Sequence, residues 1–130
     1  MNRLRQLIAD RSGSSAIEFA IAVPVLVMMI YGMFQVGILY RANAGMQHAL
    51  GEAARLATIY PTPTDTQIQS KITSTKFGVA GGTWGTPSIA TDTTTKTKTI
   101  SVTYSQPTDF LFLPGPTVNL SASKVVYLAD

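Results

Sequence analysis

The segment Phe19-Ala-Ile-Ala-Val-Pro-Val-Leu-Val-Met-Met-Ile-Tyr-Gly-Met-Phe-Gln-Val-Gly-Ile-Leu39 contains no charged residue, and Gln35 is its only strongly polar side chain. About 21 residues at 1.5 Å each make roughly 32 Å of helix, close to the thickness of a bilayer's hydrocarbon core. The segment therefore reads as one membrane-crossing helix. The remainder of the 130-residue chain is polar and rich in Thr, Ser and Gly, with room for one small domain.

Charge sets the expected orientation. Arg3, Arg5 and Arg11 precede the apolar run and Arg41 follows it. Basic residues beside a membrane segment stay cytoplasmic, which places the N-terminus inside and everything after Tyr40 outside. The net charge of +3 comes from scattered residues, among them Lys71, Lys76, Lys96, Lys98 and Lys124. No basic stripe interleaved with aromatics is present, so nucleic acid is not an expected partner. Cysteine is absent, and the outer domain must rely on its core, on the helix it hangs from or on neighbouring subunits.

Beyond the membrane the helix is expected to continue. Arg41 to Ile59 has no proline, and Met46, Ala49, Leu50, Ala53, Leu56, Ala57 and Tyr60 recur at helical spacing. Gly45, Ala49, Ala53 and Ala57 form a four-residue stripe of small side chains, suited to a close backbone approach. Either the chain's own sheet or another subunit could fill it, and the former is the simpler use. Pro61 and Pro63 end the helix. Asp65 to Phe77 reads as a short second helix capped by Thr64, with Ile68, Ile72 and Phe77 buried.

Strands are expected over Thr86–Asp92, Thr95–Tyr104 and Val118–Leu128. Ile100, Val102 and Tyr104 share one face of the middle strand. Val118, Leu120 and Ala122 alternate until Lys124, where a bulge would restore phase. Gln106 to Pro116, with Phe110-Leu-Phe-Leu113 and Pro114-Gly-Pro116, reads as a connecting loop. The apolar Phe110–Leu113 stretch would cover the amphipathic helix or touch a membrane or partner.

Catalysis has no visible machinery. There is no Gly-x-Ser-x-Gly elbow, phosphate loop or paired carboxylate site, so no enzyme activity, small-molecule substrate or cofactor is expected. His48 is the single histidine, and its i+4 neighbour Glu52 suggests a surface hydrogen bond or weak ion pair rather than a metal site.

The chemistry that remains lies at the start of the apolar run, in Arg11-Ser-Gly-Ser-Ser-Ala-Ile-Glu-Phe-Ala20. An acidic side chain at mid-bilayer costs on the order of 2.5–3.5 kcal/mol, less near the interface, so Glu18 at this edge needs a reason. Cleavage after Gly13 would leave Ser14 with a free α-amine and Glu18 one helical turn away. The carboxylate could then neutralise that amine or one on an adjacent subunit, in a first turn whose dipole favours negative charge. An interfacial carboxylate that merely caps the helix is the plainer alternative.

Gly-x-x-x-x-Glu-Phe between a basic leader and an apolar run resembles a type IV prepilin signal. Ser12 to Leu26 is similar to the start of the TadE/TadG-like proteins of the tight-adherence (Tad, or Flp) pilus system. Ile100–Tyr104, the Phe/Leu/Pro-rich stretch and Val118–Lys124 resemble that family's strand-loop-strand ending. The resemblance implies a minor pilin or pseudopilin in the bacterial inner membrane, cut between Gly13 and Ser14 by a prepilin peptidase. It further implies passage into, or initiation of, a filament that serves adherence. Glu18 and Phe19 would act in processing and subunit registration, and Pro24 would mark a helix bend. Expected partners are the peptidase, other pilin or pseudopilin subunits, the assembly platform and the lipid bilayer.

The resulting architecture is α+β and pilin-like: a long N-terminal helix packed on a small antiparallel sheet, with a short second helix. Residues 1–13 form the leader. Residues 14–60 form the long helix, transmembrane over about 18–40 and amphipathic over about 41–60. Residues 61–130 form the extracytoplasmic domain. Two other outcomes stay open, an uncleaved membrane scaffold that recruits pilus components and a soluble protein released at the Ala42-Asn-Ala44 site.

Overall fold

The computed structural model describes residues 12–110 and 113–128. The basic leader through Arg11, with Arg3 and Arg5, lies outside the described residues, as do Leu111 and Phe112. Helix α1 runs unbroken over Ser12–Ala57, 46 residues, or about 69 Å. It passes through Pro24 without interruption. Through its first half the large apolar side chains are exposed on all sides, Phe19 at 70% and Phe34 at 66%. In its second half one face becomes fully buried, through Ala42, Met46, Ala49, Leu50, Ala53 and Ala57. The helix ends at Ala57 rather than at Tyr60, as the Ile59 N–H turns back to the Leu56 carbonyl (3.1 Å). Tyr60 thus falls outside the helical repeat and is exposed rather than buried.

Helix α2 spans Asp65–Thr75. A capping box starts it: Thr64 Oγ1 accepts from the Gln67 N–H (3.3 Å), and Gln67 Oε1 accepts from the Thr64 N–H (2.9 Å). Two orphan amides are satisfied, and Asp65 faces the positive end of the helix dipole. Ile68 and Ile72, one turn apart, are fully buried. Phe77 lies beyond the helix and its ring is half exposed, contrary to the expected burial. Its main chain packs closely on α1 at Gly45, while its ring lies against His48 of the same helix.

Four strands form one antiparallel sheet: β1 (Thr83–Trp84), β2 (Ser88–Asp92), β3 (Thr97–Phe110) and β4 (Leu113–Tyr127). Strand β3 pairs with β4 along one edge and with β2 and then β1 along the other. Ile100, Val102 and Tyr104 are buried on one face and join Ala122 and Val126 in a core shared with α1 and α2. Burying a large aliphatic side chain contributes about 1.5–3 kcal/mol, so these few residues hold the domain together without disulfides. The buried Tyr104 hydroxyl donates to Gln106 Oε1. Burial pushes the Tyr104 phenol upward, offset in part by a backbone hydrogen bond with Gly82.

Two expectations for the sheet are corrected. No bulge occurs at Lys124; β3 and β4 stay in register from Thr97↔Tyr127 to Pro107↔Thr117, and the irregularity falls between Pro107 and Asp109. Residues 106–110 and 113–116 are not loop either. Both strands continue through them to Asp109↔Pro114 and Phe110↔Leu113. Prolines are tolerated because β4 is an edge strand, where a missing donor need not break a ladder, and because the irregularity adjoins Pro107.

The buried face of β3 also holds Lys98, 7% exposed, whose Nζ lies 2.6 Å from Asp65 Oδ1 at the start of α2. Removing one partner of a buried pair is far costlier than replacing it with an apolar group. Because Asp65 is half exposed, the effect should fall below the fully buried range. Asp65→Ala is expected to lower stability by about 2 kcal/mol and Lys98→Met by less than about 1 kcal/mol. Urea unfolding followed by Trp84 fluorescence measures both; equal losses would count against the buried-charge explanation.

Candidate assembly and processing segment

Gly13 and Ser14 lie in the first turn of α1, exposed, and a side chain at 13 would meet nothing within 4 Å. The helix starts at Ser12, so Glu18 falls in its second turn in the uncut chain. Glu18 and Phe19 are both exposed, four and five residues beyond Ser14. The segment is therefore a lipid-length apolar surface that begins with a carboxylate near one end. Pro24 is exposed on the same run.

The small-residue stripe is placed differently. Gly45, Ala49, Ala53 and Ala57 are all buried within the domain. At Gly45 the fit is extreme, since an added Cβ would overlap the Phe77 carbonyl oxygen and lie 2.8 Å from its carbon. Next to it Gly78 adopts φ +72° against the Arg41 carbonyl, a left-handed conformation suited to glycine. The chain itself fills the stripe, leaving it closed to another backbone.

Two surface charges of α1, Glu52 and Arg55, pair locally. Glu52 Oε2 lies 3.4 Å from Arg55 Nη2 and 3.7 Å from Lys71 Nζ on α2. The Arg55 guanidinium, chiefly, holds the Glu52 carboxyl below its ordinary range, with Lys71 adding to the effect. His48 makes no hydrogen bond to Glu52, but its charge adds the weakest of the pulls on the Glu52 carboxyl; its ring packs on Phe77 at 5.5 Å. At the far end of the sheet Asp92 Oδ1 accepts from the Thr94 and Thr95 amides, at 2.8 and 3.3 Å, which closes the β2–β3 turn.

One residue of the apolar run has a role that spacing did not reveal. Gln35 is 8% exposed, and its Nε2 donates to the Asp109 carbonyl at the end of the β3–β4 hairpin (3.3 Å). A lone amide in an otherwise apolar run was the available signal, but its partner lies 74 residues away.

Among the described residues, α1 is the one helix long and apolar enough to cross a membrane. Its length and composition suggest a single-pass membrane protein, and the same helix continues into the core of a small α+β domain. Residues 13–55 match the family model of TadE-like proteins, the family that the opening segment resembles. The match covers nearly the whole of α1 and none of the sheet. A search of curated proteins and one of solved structures found no match.

Proposed function

We propose that the chain is a minor pilin or pseudopilin of a Tad-type pilus, acting in pilus assembly and surface adherence without enzymatic activity. The observation that carries this reading is the TadE-like match lying on a helix with two environments, lipid-length and exposed at one end and a core element at the other. The basic residues Arg3, Arg5 and Arg11 ahead of the apolar run support an N-terminus in the cytoplasm and a sheet domain outside the bacterial inner membrane. A prepilin peptidase cuts between Gly13 and Ser14. Glycine weakens the first helical turn by about 1 kcal/mol relative to alanine, which eases local unwinding at the scissile bond. Glu18 then neutralises the new amine or that of a neighbouring subunit in the assembly platform or filament.

An uncleaved scaffold that recruits pilus components is the second reading, favoured by the helical conformation that α1 already has at Gly13. Release at Ala44 fits less well. It would divide α1 and remove both Gln35 and the buried Ala42 from the domain they support.

Mass spectrometry of the N-terminus from native membranes separates these outcomes. A chain beginning at Ser14 is expected; one beginning at Met1 supports the scaffold and one beginning at Gly45 the released form. Glu18→Ala should leave membrane insertion intact and reduce recovery in sheared filaments by at least about tenfold, as expected for loss of a desolvated charge partner. Wild-type recovery would remove the registration role assigned to Glu18.

A further inference from the structure

The contact between Gln35 and Asp109 fixes how far the sheet domain descends along α1. Gln35 lies six residues before Arg41, about 9 Å along the axis toward the apolar half. It also lies inside the uncharged run that ends at Leu39. The end of the β3–β4 hairpin therefore reaches past the level at which charge first appears on the helix.

Its composition suits that depth. Leu113 is 64% exposed. Pro107, Pro114 and Pro116 supply no backbone N–H, which removes donors that would otherwise need water. The Gln35 amide covers the Asp109 carbonyl, and Thr108 Oγ1 donates to the Pro116 carbonyl (2.6 Å). Beside the hairpin an open groove of about 270 Å³ is lined by Val36, Leu39, Tyr40, Asn43 and Leu120. Val36 and Tyr40 of its lining belong to the exposed surface of α1. The Asp109 side chain is exposed and limits how deep the end can go, since a carboxylate belongs among the headgroups.

We propose that the paired ends of β3 and β4, at Asp109 and Leu113–Pro114, form a second membrane contact. It sits in the interfacial layer of the bilayer that α1 crosses, and lipid fills the groove between Leu120 and Val36–Tyr40. The proposal rests on α1 spanning the membrane. Tyr40, exposed beside the groove, adds an amphipathic ring of the kind that favours the same layer. Two attachments, helix and hairpin, would hold the sheet domain at one height and one rotation relative to the bilayer.

The absence of cysteine makes the test direct. Leu113→Cys, Met29→Cys and Thr93→Cys, all at exposed positions, are each labelled with an environment-sensitive fluorophore. The full chain is reconstituted at low density in phosphatidylcholine–phosphatidylglycerol vesicles carrying nitroxide-labelled lipids. Met29 reports on the spanning helix. Thr93, in the turn before β3, lies roughly 40 Å along the strand from the hairpin end. The expected result is quenching at Met29, and quenching at Leu113 by shallow nitroxides at least about twofold above that at Thr93. Quenching at Met29 with Leu113 equal to Thr93 overturns the hairpin contact and leaves the spanning helix standing. A blue-shifted but unquenched Leu113 label means that protein rather than lipid covers the hairpin, which also overturns the proposal. No quenching at any of the three positions removes the hairpin contact and the membrane-spanning reading together.

Discussion

Alanine at position 45 is expected to lower the stability of the sheet domain by about 3 kcal/mol, in the range of core overpacking. What stands in the way is main chain, not the tip of a side chain that could swing aside. The Phe77 carbonyl occupies the place of a Cβ at residue 45, and Phe77 is held on both sides. Before it, the Lys76 N–H donates to the Ile72 carbonyl at 3.1 Å; after it, Gly78 rests on the Arg41 carbonyl. Relief of the overlap requires residues 76–78 to lift off α1, which also disturbs the seat of Ile72. Gly51→Ala is the matched control on the same helix. Nothing lies within 4 Å of a Cβ there, and removing a glycine from a helix interior should stabilise by up to about 1 kcal/mol. The Trp84 ring packs 6.4 Å from Tyr104, so its fluorescence follows unfolding of the domain in urea. Similar midpoints for the two variants would contradict the packing described at Gly45.

The second large effect is expected at Gly13. With Leu at this position, maturation to a chain beginning at Ser14 should fall by at least about tenfold, because a protease pocket built around glycine cannot accept four added carbons. The structure makes the experiment clean. Residue 13 is exposed and its added side chain has open space, so the fold should be unaffected. Membrane-fraction abundance and the urea midpoint of Gly13→Leu should match the unsubstituted protein while full-length chain accumulates. Undiminished maturation in this variant would refute the assigned cleavage site, whatever the chain's role in the pilus.

The elements that could be read directly from sequence are those specified by local periodicity. A run of uncharged apolar residues sets α1, and its change to a one-sided pattern near Arg41 marks the start of the packed half. Thr64 announces its helix because an N-cap is satisfied within four residues. Ile100, Val102 and Tyr104 declare a strand face because the period of two is local as well. The features that escaped this reading depend on distant partners. Pro107, Pro114 and Pro116 look like loop residues until β4 is known to be an edge strand. Lys98 interrupts an apolar face, and its neutralisation by Asp65 across 33 residues is visible only once α2 docks. Gly45 could be recognised as a site of close approach, but not as the seat of Phe77. At the candidate site, Gly13, Glu18 and Phe19 stand out by spacing and by resemblance, whereas the function of Gln35 required its contact with Asp109.

The unbroken course of α1 also has a mechanical consequence. A single helix joins the exposed apolar segment to the core of the sheet domain, with no linker between them to take up slack. Traction on the domain therefore arrives at the buried end as an axial load, and twisting the domain turns the anchor with it. Helical hydrogen bonds resist extension along their own direction, so such a load favours displacement of the whole rod over stretching it.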